Sequence, residues 1–228
     1  MDKSRTEILI GKENVDKLSR LHVTIVGVGG VGGNVALFLA RAGVEHFTLI
    51  DFDKVVPSNL NRQVIAYEDT IGREKVEVLS EIIKKINKNA VILCKNERIC
   101  EENVENLINN TDYVVDAIDS VKDKASLIVY CKKNNIKIIS AMGAGNRFDE
   151  PRFYVTDIYK THDDGLAKAL RKVLRANGIK DLKVVTCDSK PSKIDRVIGS
   201  ISYYPAMCAG IVAAHIVNEI IKEDLWKS

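Results

Sequence analysis

The sequence predicts an α/β fold: a Rossmann-like, doubly wound, mostly parallel sheet with a C-terminal strand and helix extension. Three observations predict it. Short runs rich in Val and Ile alternate with helical patterns, a glycine turn joins the first run to the first helix, and an acidic residue ends the second run.

In chain order, strands are predicted at His22 to Val26, His46 to Asp51, Ala90 to Cys94, Tyr113 to Ile118 and Lys137 to Ala141. Helices are predicted between them at Gly32 to Ala42, Glu74 to Asn87, Asn103 to Asn109 and Lys122 to Asn134. After Ala141 the pattern changes to a longer loop, Gly143 to Arg152, and a strand at Phe153 to Asp157. A helix then starts at Asp163 or Asp164, places Leu166, Leu170, Val173 and Leu174 on one face, and stops before Gly178. Lys183 to Cys187 reads as a further strand and Ala206 to Ile221 as a mostly buried closing helix. The whole of 1–228 reads as one domain, with a nucleotide-binding part at 1–145 and a substrate-facing extension at 146–228.

With 34 Lys and Arg against 31 Asp and Glu, the net charge is +3; 46% of the residues are hydrophobic. That composition can fill a core, and it excludes a disordered chain and a surface coated everywhere with basic residues. The five cysteines are Cys94, Cys100, Cys131, Cys187 and Cys208, and no two are spaced Cys-x-x-Cys. A disulfide framework and a four-Cys zinc site are therefore not expected. Charged residues break up the N-terminus, and the apolar stretch ending at Ile221 is short for a membrane span. The reading is a reduced, cytoplasmic protein with no membrane partner.

Gly27-Val28-Gly29-Gly30-Val31-Gly32 follows the first predicted strand directly. Gly27, Gly29, Gly30 and Gly32 suit a tight turn where backbone approaches a phosphate and a helix N-terminus offers free N–H groups. Asp51 lies at the end of the second strand, where a carboxylate can accept hydrogen bonds from ribose hydroxyls. A nicotinamide-dependent dehydrogenase would share these features. The polar loop that follows, from Asp51 and Asp53 to Asn59, Arg62 and Gln63, with Lys75 beyond it, argues instead for charge stabilisation at a phosphoryl centre. Asp119, just past the fourth strand, would face the same crevice and could hold Mg²⁺. Read without function, Asp119 is a helix N-cap, and Arg62 and Lys75 are solvated surface charges.

The glycine turn, Asp51-x-Asp53, Ser58-Asn59-Leu60-Asn61-Arg62-Gln63, Gly72-x-x-Lys75 and Asp116-x-x-Asp119 together resemble the ubiquitin-activating-enzyme-type adenylyltransferases. The resemblance implies ATP, bound through Asp51 at the ribose and through Asn59, Arg62 and Lys75 at the triphosphate, with Mg²⁺ governed by Asp119. Arg5, in Arg5-Thr6-x-x-Leu9-x-Gly11, resembles the arginine that reaches the triphosphate of a neighbouring subunit, which implies a homodimer with composite sites. Arg5 is otherwise a terminal charge.

Sulfur-carrier activators of this superfamily commonly hold a zinc through two Cys-x-x-Cys pairs, which this chain lacks. The closer resemblance is to the branch of tRNA threonylcarbamoyladenosine dehydratases. It rests on Arg5-Thr6, the glycine turn, Asp116-Ala117-Ile118-Asp119-Ser120, Met142-Gly143-Ala144-Gly145 and Val155-Thr156-Asp157-Ile158-x-Lys160-Thr161, with Asp164-Gly165-Leu166-Ala167 behind it. It implies an ATP-dependent enzyme acting on tRNA that bears threonylcarbamoyladenosine next to the anticodon. The acyl-adenylate of the threonyl carboxylate would close into a ring and release AMP. Adenylation of the C-terminus of a ubiquitin-like sulfur carrier is the alternative, and a nucleotide-binding scaffold without catalysis a third reading. A monovalent cation and a sulfur-donor or redox partner protein remain open.

Cys187, beside Asp188-Ser189-Lys190, is the candidate if any cysteine is catalytic, although a Cys at a strand end is usually a small packing residue. His162 lies in a predicted loop and receives no role. From Ser120 to Ser200 there are 17 Lys and Arg against 9 Asp and Glu, while the remainder has 17 against 22. The neutral total therefore hides a basic segment. Lys168, Arg171, Lys172 and Arg175, on the helix before Gly178, are its candidate RNA phosphate contacts.

Overall fold

The computed structural model describes residues 1–192 and 198–225. Two of the basic residues counted above, at 193 and 196, lie outside the described residues. Helices α1 (Ser4–Ile10) and α2 (Lys12–Arg20) precede the first strand. The sequence reading contains no element there: α1 buries none of its seven residues and so shows no apolar stripe, while α2, also missed, buries Val15 and Leu18.

The predicted alternation follows. It runs β1 (His22–Val26), α3 (Gly32–Ala42), β2 (His46–Ile50), α4 (Lys75–Ile86), β3 (Val91–Lys95), α5 (Val104–Leu107), β4 (Tyr113–Asp116), α6 (Val121–Lys133) and β5 (Lys137–Ala141). The extension adds β6 (Phe153–Asp157), α7 (Gly165–Ala176), β7 (Lys183–Cys187) and α8 (Tyr203–Leu225). All seven strands form one sheet in the order β3-β2-β1-β4-β5-β7-β6, parallel throughout except for the β6–β7 pair.

Register decides where the site forms. Val26 lies opposite both Ile50 and Asp116, so three strands release their chains at one level. The glycine turn, the Asp51 loop and the Asp119 loop therefore open side by side, at the carboxyl ends of the strands.

Apolar layers cover both faces of the sheet. On one, Leu39 of α3 and Leu79 of α4 share a core with Val212 and Ile216 of α8. On the other, Leu107, Ile128, Leu170 and Leu174 bring in α5, α6 and α7. Such double coverage is what continuous apolar strands require.

Two elements differ most from their predicted spans, while the others match or shift by no more than two residues at an end, as β4 does in stopping at Asp116 rather than Ile118. The helix predicted at Asn103 to Asn109 is a single turn: Asn103 Oδ1 accepts the Cys100 N–H at 2.8 Å, and Asn110 takes a left-handed φ of 49°. Helix α8 begins at Tyr203 rather than Ala206, since Pro205 fits a first turn, where its missing N–H has no helical partner to lose. Its longer span makes Tyr203–Ile221 apolar and long enough to cross a membrane, contrary to the sequence reading. In this fold Cys208, Ala209, Val212 and Ile216 of that helix are fully buried in the core.

Candidate active site

A cleft of about 610 Å³ opens at the carboxyl ends of the strands. Its first wall is the glycine turn. Gly27 has φ 89°, and a Cβ on it would lie 2.7 Å from the Ala117 carbonyl oxygen. Only glycine lets β1 leave the sheet at that angle against the β4 exit. Gly29 and Gly30 line the cleft; Gly32 does not, and instead lets α3 start against the Gly27 carbonyl.

Asp51 is almost buried, and its two oxygens accept the N–H groups of Val28 at 2.6 Å and Asp53 at 2.8 Å. Burial pushes its carboxyl above the ordinary Asp value, and the nearby Lys75 charge opposes that rise. A carboxylate has about four acceptor positions, so both bonds leave capacity for hydroxyls at the cleft.

Lys75 opens α4, is 6% exposed, and pairs with Asp53 Oδ2 at 2.7 Å. Arg62 is half-buried and donates to the Ser58 carbonyl and to Asn61 Oδ1, both at 2.8 Å. Neither is a solvated surface charge; both line the cleft with Asn59 and Gln63. Asn59 is buried and accepts the Val56 N–H at 3.2 Å. Gln63 lines the cleft, and its Oε1 is buried with no hydrogen-bond partner.

Asp119 is exposed at the cleft. The cap of α6 is Ser120, whose Oγ accepts the Asp123 N–H, so the capping explanation for Asp119 falls away.

The lining continues through Gly143–Gly145, Leu166 and Ile198, and Pro205 closes it beside Gly30. Asp164, rather than Asp163, caps α7: its Oδ1 takes the Ala167 N–H at 2.9 Å while Oδ2 takes the Gly143 N–H at 3.0 Å. Arg147, only 5% exposed, donates to the carbonyls of Gly143, Asp163 and Ser189. Together these two residues hold the N–H and the carbonyl of Gly143, which belong to the two peptides flanking it.

Some cleft residues carry no sequence signal. Arg98 lies beyond β3 in irregular chain, with its guanidinium 5.6 Å from the Phe52 ring centre and 2.8 Å from Asp123. No periodicity marks such a position.

Other candidates fall elsewhere. Arg5 sits exposed on α1, and it is not among the residues lining its own chain's cleft. His162 is also away from the cleft, beside Asp163 and Asp188. Cys187 is 1% exposed, with its thiol 3.3 Å from Ser189 Oγ, in the packed setting of a structural cysteine. Arg171 is not a free phosphate contact. Its guanidinium bonds the Ile158 and Thr161 carbonyls and the Thr161 hydroxyl. Arg175 stacks 5.1 Å over Tyr159, while Lys168 and Lys172 remain exposed on α7.

Comparison with known proteins places this geometry. The model of the ThiF family matches residues 3–226. This chain belongs to the ThiF family. Among family members it is similar to the tRNA threonylcarbamoyladenosine dehydratase of Bacillus subtilis (strain 168), at 35% identity, covering 96% of this chain and 94% of that protein. A relative of that name from Haemophilus influenzae is 38% identical over 90% of this chain and 78% of its own. In structure, it superposes on the E. coli tRNA N6-threonylcarbamoyladenosine dehydratase solved with ATP. The TM-score is 0.92 at 31% identity, covering 99% of this chain and 96% of that one. The seven-stranded, mostly parallel sheet is thus the ThiF family's own architecture.

Proposed function

We propose that this chain is an ATP-dependent tRNA threonylcarbamoyladenosine dehydratase, which adenylates the threonyl carboxylate of its RNA substrate and closes it into a ring. One observation favours this over carrier-protein activation: the similarity runs through the extension, so it includes the cleft wall at Gly143–Gly145 and Leu166 as well as the nucleotide wall.

A carboxylate is a poor electrophile because oxide would have to leave. Attack by the threonyl carboxylate on the α-phosphorus of ATP expels pyrophosphate and gives an acyl-adenylate. A nucleophile in the same modified nucleoside then attacks the acyl carbon and expels AMP, so the net change is loss of water at the expense of one ATP. The second step is intramolecular and gains its rate from proximity.

In this reading the glycine turn and the α3 N-terminus cradle phosphate, Asp51 holds the ribose, and Asn59, Arg62, Gln63 and Lys75 stabilise charge on the phosphates. Lys75 would exchange its Asp53 partner for a phosphate oxygen. Mg²⁺ suits the donor set, because it is usually held by one or two carboxylates together with substrate phosphates. Asp119 would hold it there, and its chemistry would be to neutralise phosphate charge. The enzyme would act in the cytoplasm on tRNA. Arg5 completes the site of a second subunit: it lies on a helix whose Ile8 and Leu9 are 80% and 83% exposed, an apolar edge suited to a subunit contact.

The test is ATP–pyrophosphate exchange with tRNA carrying threonylcarbamoyladenosine, with unmodified tRNA, and with a ubiquitin-like carrier. Exchange with the modified tRNA is expected. Exchange with the carrier alone would overturn the proposal, and exchange with none would indicate a scaffold.

A further inference from the structure

Directly beneath the Asp119 loop lies an ion pair with no exposure to solvent. Lys124 of α6 and Asp116 at the end of β4 are both 0% exposed, with Nζ 3.0 Å from Oδ2. Lys124 Nζ also donates to the Ile118 carbonyl at 2.9 Å. Asp116 accepts the Ile118 N–H at 3.1 Å and the Ser140 hydroxyl at 2.6 Å. Both polar backbone groups of Ile118 are therefore held by the two members of one pair, and the next residue is Asp119. On the other side the Ala117 N–H bonds the Val26 carbonyl at 2.9 Å, while its own carbonyl packs against Gly27.

Stability does not explain such a pair. Desolvating two charges offsets much of their attraction, and an apolar pair of similar volume commonly serves a core as well. What an apolar pair could not do is hold the two peptides that flank Ile118, one by its N–H and the next by its C=O, at once. Loops at strand ends are otherwise free to rotate their peptides, which would swing the Asp119 carboxylate relative to the glycine turn.

We propose that Lys124 is a positioning residue for the reaction. Through Asp116 and the two peptides flanking Ile118 it holds Asp119 at a fixed height above the glycine turn, with Ser140 completing the clamp. The inference rests on the reading that Asp119 acts in turnover.

The test compares wild type with the double variant Lys124→Met/Asp116→Asn, in which no charge is left stranded. The side-chain amide introduced by Asp116→Asn keeps an acceptor for the Ile118 N–H and a donor for Ser140. Three readings are taken: AMP affinity by calorimetry without divalent metal, amide hydrogen exchange across 113–124, and single-turnover kinetics on modified tRNA. The expected result is AMP affinity within about threefold of wild type, with amides of 117–120 exchanging at least about tenfold faster. The maximal rate should fall about tenfold or more while the KM for ATP moves less than about threefold. In an Asp119→Asn background the same double variant should cost no more than about twofold, because the clamp acts through the group already removed.

An unchanged rate, unchanged exchange, or equal fractional losses in both backgrounds would overturn the proposal. If Asp119→Asn alone turns over like wild type, the assignment of Asp119 is what fails, and the proposal with it. Ser140→Ala keeps the pair and removes one donor. It gives the same three readings if the double variant does not fold, with a loss of about threefold expected in rate and none in AMP affinity.

Discussion

Gly27→Ala separates two costs that the structure places on one residue. The first is conformational: an L-residue held in the left-handed region loses about 1–2 kcal/mol. The second is steric, since the new methyl would sit 2.7 Å from the Ala117 carbonyl oxygen, a backbone atom that cannot rotate away. Forcing atoms into a packed site costs about a further 1–3 kcal/mol, which brings the total to roughly 2–5 kcal/mol. Gly178→Ala is the control, because Gly178 has φ 73° with open space where a Cβ would go. It should lose only the conformational part, about 1–2 kcal/mol.

For a domain of this size each kcal/mol lowers the melting temperature by about 2–4 °C, so Gly178→Ala should melt about 2–8 °C below wild type and Gly27→Ala clearly lower still. Displacing Ala117 also moves the chain leading to Asp119 and tilts the phosphate turn. AMP affinity in Gly27→Ala should therefore fall at least about tenfold, equivalent to about 1.4 kcal/mol, while Gly178→Ala binds as wild type. Thermal melts and calorimetry measure both. Equal melting temperatures for the two variants, with AMP affinity retained in Gly27→Ala, would refute the argument.

On the proposed composite site, mixing Arg5→Ala with Lys75→Ala protomers should restore activity that neither variant has alone, because a mixed dimer would rebuild one complete site; turnover assays before and after subunit exchange check it. Cys187→Ala should retain turnover within about twofold, in keeping with a packing role. Under native alkylation followed by mass spectrometry, the partly exposed Cys100 should react well before Cys131 and Cys208, whose thiols burial pushes up to about 12. Charge reversal at Lys168 and Lys172 should weaken tRNA binding and flatten its salt dependence. Arg171→Ala should instead lower the melting temperature by several degrees, since it strips the Ile158 and Thr161 carbonyls of their donor.

That Gly27, Asp51, Arg62, Lys75 and Asp119 meet at one cleft was legible because much of its lining is tied to strand ends, where apolar runs stop at identifiable places and turn chemistry demands glycine or an acid. Gly27, Asp51 and Asp119 could be read in that way, and Arg62 and Lys75 as the cations of the polar loop and the helix that follow Asp51. Residues serving the site from beneath were not. Lys124 looks like any helical lysine until the fold buries it, and Arg147 looks like a loop charge until three carbonyls surround it. Arg171 shows the converse. Helical spacing put it among exposed cations, but its long side chain reaches back to cap the turn at Ile158–Thr161. Periodicity reports which face a residue occupies; it carries no information on where a flexible stem ends.

The placement of β7 between β5 and β6 bears on how the chain assembles and how it can be divided. The last strand in sequence is an inner strand, so β6 has no place on the sheet until residues some thirty positions later have docked against β5. Folding of the extension must wait for that long-range pairing, which sets it among the slower steps. A fragment ending at 145 would leave Ser140 and Ala141 of β5 with an open edge and deprive α3 of α8, inviting strand-to-strand aggregation. Grafting a different extension onto residues 1–145 therefore requires exchanging β6, α7, β7 and α8 together. Designs that cut between them would sever the sheet itself.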